Sequence, residues 1–186
     1  YTTKKGKSQF INFYKDTQTW GIDNIVFNDV ESMENQYIGG FVPRNEKLEF
    51  TKKELVKEEK IINPKTRTVA TGNMIHQIVY NKLFKHLYIL FKNSWDYGLA
   101  TPIALGVDPV RHWDQIAEHL KYHDYMIDFD VKAWEEKVNL RLLGMNTQVK
   151  LKLLERAYKS RGEKFDRNNI SIAHGLVVDY TDTYVC

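Results

Sequence analysis

Residues 73–93, NMIHQIVYNKLFKHLYILFKN, constrain the fold more than any other stretch of the chain. Ile75, Ile78, Val79, Leu83, Leu87 and Leu90 recur at helical spacing, which puts them on one face of an α-helix. Asn73 stands just before the pattern and suits an N-cap, because its side-chain oxygen can accept an orphan N–H of the first turn. An apolar stripe this long is a core face, so other elements have to cover it.

The rest of the chain supplies those elements in mixed form. Asp108-Pro109 fits a cap followed by proline at the first helical position, opening a helix to about Leu120. Another helix is expected to start near Lys132, and a third to run from about Thr147 to Arg161, broken by Gly162. Residues 49–61 alternate loosely before the Asn63-Pro64 turn. Thr66, Thr68 and Val69 then favour extended chain, so strand, turn, strand is the reading. Tyr125–Asp130 reads as a strand, and residues 170–186 read as two strands joined at His174-Gly175. Residues 1–50 are weakly periodic, with turn signals at Gly21, Gly39-Gly40 and Pro43, and are expected to be irregular folded structure. The fold class is α/β (α+β).

Composition sets the outer limits. The chain has 186 residues, 42% of them apolar and 27% charged, which suffices for a real core. Mean hydropathy is −0.50. No run of 18 apolar residues occurs, so no transmembrane span is expected. No apolar stretch follows the charges of YTTKKGKSQF, so no signal peptide is expected there. The single cysteine, Cys186, allows no internal disulfide. A net charge of +3 is too small to argue nucleic-acid binding by itself, so any such binding must come from local clustering. The chain has no initiator methionine and ends within a strand-like run, and is expected to be a piece of a longer protein.

Two segments in fixed order carry the chemistry. Residues 52–68, KKELVKEEKIINPKTRT, place Lys60, Lys65 and Arg67 around a turn. Such a cluster suits phosphate oxygens, which take charge-assisted bonds from lysine and forked ones from arginine. Glu54, Glu58 and Glu59 could instead pair with the lysines as a solvated hairpin, each exposed pair contributing under about 1 kcal/mol. Lys65-Thr66-Arg67 has no acidic residue among its three positions. Further on, residues 127–136 read IDFDVKAWEE, with Asp128 and Asp130 at a strand end and Glu135 five residues beyond. An isolated D-x-D is more often a helix cap than a metal site. Facing a basic clamp, though, a carboxylate there could hold a divalent cation that bridges phosphates, with the Val131 carbonyl as a second donor. The six histidines show no metal-ligand spacing with cysteine, and the serines lie in no nucleophile elbow.

The order of these segments resembles the RNA-dependent RNA polymerases of picornavirus-like positive-strand RNA viruses. Their fingers motif F runs approximately K-D-E-L-x-x-x-E-K-x-x-x-x-K-[ST]-R. Lys52, Glu54, Leu55, Glu59, Lys60, Lys65, Thr66 and Arg67 match it without a gap, and Lys53 replaces the usual Asp. The G-x-[DN]-P of the family stands as Gly106-Val107-Asp108-Pro109. Palm motif A, D-x4-D, stands as Asp130 and Glu135. The resemblance implies a partial right-hand polymerase: fingers over 1–107, a palm portion over 108–145 and a return to the fingers over 146–186. It implies that Asp130 is catalytic and, with the Val131 carbonyl, binds Mg2+ or Mn2+. Lys52, Lys60, Lys65 and Arg67 would contact the incoming triphosphate. Glu135, one methylene longer than the usual Asp, would contact the ribose 2′-hydroxyl.

The implied partners are an RNA template-primer, ribonucleoside triphosphates, the remainder of the polymerase polypeptide and other viral replication proteins. The implied location is membrane-associated replication complexes in the host cytoplasm. Nowhere does the chain contain the adjacent Asp pair of motif C. Asp179 and Asp182 lie three apart, and the chain is expected to stop just before motif B and to be inactive alone. Two rivals stand beside this reading. One is a non-catalytic RNA-binding or scaffolding module, and the other a reverse-transcriptase-type palm polymerase, which lacks the long basic block.

Overall fold

The computed structural model describes residues 9–43, 48–51, 68–98, 103–131 and 138–182, with backbone alone at 48–51, 68–71 and 180–182. Its mixed helix and strand content agrees with the expected fold class. In order, the elements are β1 (Ile11–Tyr14), β2 (Thr19–Ile22), α1 (Asn24–Ile38), β3 (Leu48–Thr51) and β4 (Thr68–Thr71), then α2 (Met74–Asn93), α3 (Trp113–Leu120), α4 (Leu140–Ser160) and α5 (Asn168–Asp182). The strands form two separate antiparallel pairs, β1 with β2 and β3 with β4. The chain divides into two compact units, one of residues 1–80 with 174–186, the other of residues 81–173.

In the first unit, residues expected to be irregular form a hairpin and a helix. Phe13 lies opposite Trp20 in the β1–β2 register, with ring centroids 4.9 Å apart. Asp23 caps α1, its side chain accepting from Ile25 N–H at 2.9 Å. At the other end Gly40 N–H donates to Tyr37 C=O at 3.1 Å and Phe41 N–H to Gln36 C=O at 2.9 Å. This paired C-terminal closure needs a left-handed residue, and Gly40 supplies it at φ +79°. Val26, Val30, Met33 and Tyr37 are buried along one face of α1.

The β3–β4 pair confirms the strand, turn, strand reading in its stem. Leu48 pairs with Thr71 and Thr51 with Thr68, so the two attachment points of the basic segment are neighbours. Helix α2 follows as predicted, and Asn73 Oδ1 accepts from Ile75 N–H at 2.8 Å. Its buried positions are Val79, Phe84 and Leu87, whereas Leu90 is exposed. The stripe therefore rotates through Phe84, a position that the aliphatic pattern had passed over.

Residues 170–182 belong to helix α5, not to two strands. Ile172, Ala173, Leu176 and Asp179 are buried, which is helical spacing. Contact with α1 explains why β-favouring residues are overruled here. A Cβ on Gly175 would fall 2.3 Å from Tyr37 Cδ1, so the glycine lets the helix approach that ring. Tyr37 Oη donates to Asp179 Oδ2 at 2.9 Å, and His76 Nδ1 lies 2.5 Å from the same oxygen. One carboxylate thus ties α1, α2 and α5 together. Burial first, then the neighbouring carboxylate, push the Tyr37 phenol far above its ordinary value, so its hydroxyl stays a proton donor.

In the second unit, α4 begins at Leu140, earlier than the predicted Thr147, because Asn139 Oδ1 accepts from Leu142 N–H at 2.9 Å. Gly162 ends it as expected: Gly162 N–H donates to Lys159 C=O and Glu163 N–H to Tyr158 C=O. Thr147, Leu151 and Leu154 are the buried positions of α4.

Candidate active site

The G-x-D-P segment is the most tightly built part of the candidate site. Gly106 has φ +79°, and a Cβ there would sit 2.2 Å from the Lys92 carbonyl oxygen, so no other residue fits this position. Asp108 does not open a helix directly. Its Oδ1 accepts from Val110 N–H at 2.9 Å and Arg111 N–H at 3.4 Å, closing a turn, and α3 starts only at Trp113. Those backbone N–H groups hold the Asp108 carboxyl below its usual range.

Buried His112 locks the turn from within. Its Nδ1 accepts from Asp108 N–H at 3.0 Å, so its ring proton sits on Nε2, which faces Asp96 Oδ1 at 3.2 Å. Arg111 Nη1 reaches the same Asp96 oxygen at 3.4 Å. Trp95, also buried, donates from Nε1 to Ile103 C=O at 3.1 Å. The sequence pointed to Asp108 and gave no sign of His112, because a histidine four residues along looks like any helix-capping polar residue.

Asp128 and Asp130 lie on the chain that follows α3. The predicted strand at 125–130 is not formed; residues 125–131 have no regular structure. A strand needs a neighbour for its backbone ladder, and no described strand runs beside this one. Tyr125, Ile127 and Phe129 are 89%, 85% and 79% exposed, so the alternation is present without a surface to bury it. Asp128 and Asp130 are exposed too, and Val131 is half-buried. Lys52, Lys60, Lys65, Arg67 and Glu135, together with the helix expected near Lys132, lie outside the described residues. So the described residues bring Asp130 and Val131 together and no other predicted site residue to them. Among the described residues no group of three or more His, Cys, Asp or Glu could hold a metal ion. No helix among them is long and apolar enough to cross a membrane.

The viral RNA-dependent RNA polymerase family matches residues 21–165, well over half of the chain. This chain belongs to that family. The matched region holds the basic segment, the Gly106–Pro109 turn and the Asp130 segment in one collinear stretch. Comparison with curated proteins and with solved structures found no match.

Proposed function

We propose that the chain carries the triphosphate-contacting segment and the first metal-binding acid of an RNA-directed RNA polymerase, which adds ribonucleotides to RNA under template direction. The observation that carries this reading is the family match over 21–165; the three motif segments, at 52–68, 106–109 and 127–136, lie within it in the order that the resemblance implies. In this assignment residues 1–107 belong to the fingers, 108–145 to the palm, and 146–186 return to the fingers. Lys60 and Arg67 hold the triphosphate oxygens, with Lys52 and Lys65 beside them, and Glu135 accepts a bond from the ribose 2′-hydroxyl.

Asp130 and the Val131 carbonyl would hold Mg2+ or Mn2+. Their chemistry fits. Both are hard oxygen donors, and Asp130 is exposed with no protein partner among the described residues. A site of one or two protein oxygens completed by water and substrate phosphates is usual for Mg2+. Two ions, when bound, supply neutralisation of the triphosphate charge and a more acidic 3′-hydroxyl. The protein's own part is to place the nucleotide in line and to surround its charge with fixed cations. A two-ion site needs a second acid cluster beside Asp130, and these residues contain no adjacent Asp pair, so the 186 residues alone should not incorporate nucleotides.

The test is Asp130→Ala in an active polymerase that carries this sequence. Incorporation should fall at least about a hundredfold, with RNA binding nearly intact. Arg67→Ala should mainly weaken nucleotide use. Unchanged incorporation in Asp130→Ala would end the polymerase assignment, and equal loss of RNA binding by Arg67→Ala at every salt concentration would favour a non-catalytic RNA-binding module.

A further inference from the structure

Positive charge in this chain is concentrated in two stretches, the basic motif segment (residues 52–68, six basic and three acidic side chains, net +3) and a second stretch outside the motifs. Residues 150–167 contain seven basic and three acidic side chains, a net +4, whereas the whole chain carries +3. The remaining 168 residues therefore sum to −1. Within this stretch Lys152, Arg156 and Lys159 are all exposed and recur at i, i+4 and i+7, so they form one stripe along the face of α4 opposite Thr147, Leu151 and Leu154. None of the three makes an ion pair with a described residue. The stripe spans about 10 Å, roughly three phosphates of a stacked single strand.

Simpler roles account for the neighbours but not for the stripe. Arg161 lies 5.0 Å over the Tyr158 ring and pairs with Glu163 at 3.0 Å, so it serves the helix end. Lys159 sits in the last turn and complements the helix dipole. Lys152 lies about two turns before the helix end, beyond the reach of that effect, and Arg156 stands just before the last turn. Glu155, on the same helix, pairs with none of the three. Beyond the helix, exposed Lys164 and Arg167 extend the positive surface, on a segment pinned to α4 by the Gly162 closure and the Tyr158–Phe165 edge contact at 5.7 Å.

We infer that the Lys152–Arg156–Lys159 face of α4 is a docking surface for the phosphate backbone of RNA. The choice of RNA over other polyanions rests on the polymerase reading; the existence of an anion-binding face does not. Contacts of this kind carry no sequence information and reveal themselves through salt dependence.

The experiment measures binding of a fluorescent 20-nucleotide oligouridylate to the full chain between 50 and 200 mM salt. It uses Lys152→Gln/Arg156→Gln/Lys159→Gln and a charge-keeping swap, Lys152→Arg/Arg156→Lys/Lys159→Arg. Three lost phosphate contacts should flatten the log Kd against log salt slope by about 2, so the Gln variant should lose about 15- to 20-fold less affinity over that range than wild type. The swap should retain the wild-type slope. An unchanged slope in the Gln variant overturns the inference, as does a swap that loses as much as the Gln variant. Loss of binding to phosphatidylserine vesicles with RNA binding unchanged would assign the face to a membrane and also overturn it. Because the readout is binding, it stands apart from the Asp130 test. A flattened slope with incorporation intact in Asp130→Ala would keep the RNA surface and discard the polymerase assignment.

Discussion

Asp179 and Asp130 are both carboxylates, and the chain treats them in opposite ways. Asp179 is 3% exposed and spends one oxygen on Tyr37 and His76, holding α1, α2 and α5 in one arrangement. Asp130 lies in an open segment, exposed, with no described partner. A buried charge is tolerated only when its lone pairs are satisfied, so the protein consumes what Asp179 could offer a ligand. An exposed carboxylate keeps its lone pairs for a ligand and contributes little to stability. The buried site is chemically closed, and the open one is free to act.

The largest effect should come from removing the closed carboxylate. Asp179→Ala leaves the Tyr37 hydroxyl and His76 Nδ1 without that acceptor and opens a cavity, and should cost about 3 to 5 kcal/mol in chemical denaturation. Next, Gly175→Ala drives a methyl into Tyr37, whose Cδ1 and Cγ would lie 2.3 and 2.6 Å from the new atom. Helix propensity favours alanine by about 1 kcal/mol, but overpacking against a buried ring should dominate, for a net loss of about 1 to 2 kcal/mol. Tyr37→Phe keeps the ring and deletes the donor to Asp179, and should cost about 1.5 kcal/mol by the same measurement.

The smallest effect concerns Asp108, a half-buried carboxylate that the backbone engages. Its carboxyl titrates below the usual range, so its contribution to the turn is present above the unfolded-state value and is lost as pH falls through the folded-state value. NMR titration should show the Val110 and Arg111 amides shifting together with the Asp108 carboxyl, at a pH below that of an ordinary aspartate. Coincidence with an ordinary aspartate would mean that the turn does not hold it.

These contrasts also show what the sequence could and could not reveal. Helix α2 was legible because its cap and its stripe are local signals that agree. The β3–β4 stem was legible because Pro64 punctuates two β-favouring runs. Helix α1 carried its own signals, a stripe of Val26, Val30, Met33 and Tyr37 between Asp23 and the Gly39-Gly40 stop. Those glycines look like loop punctuation in sequence and mark a helix end in the structure. Helix α5 could not be read locally: Ile170, Val177 and Val178 favour strand, and what decides the matter is a hydrogen bond between residues 142 positions apart. At the candidate site the residue types were legible, as was the alternation of Tyr125, Ile127 and Phe129. The strand itself was not decided by them, because a strand is made by its neighbour. The basic face of α4 was legible in spacing alone, at Lys152, Arg156 and Lys159, but belonged to no motif.

The most direct measurement is primer extension by Asp130→Asn beside Asp128→Asn in an active polymerase that carries this sequence, with melting temperatures recorded for both. The two carboxylates are two residues apart and both exposed, and the role proposed here falls on Asp130 alone. The account predicts that Asp130→Asn loses incorporation at an unchanged melting temperature, while Asp128→Asn retains it. Wild-type incorporation by Asp130→Asn would contradict it.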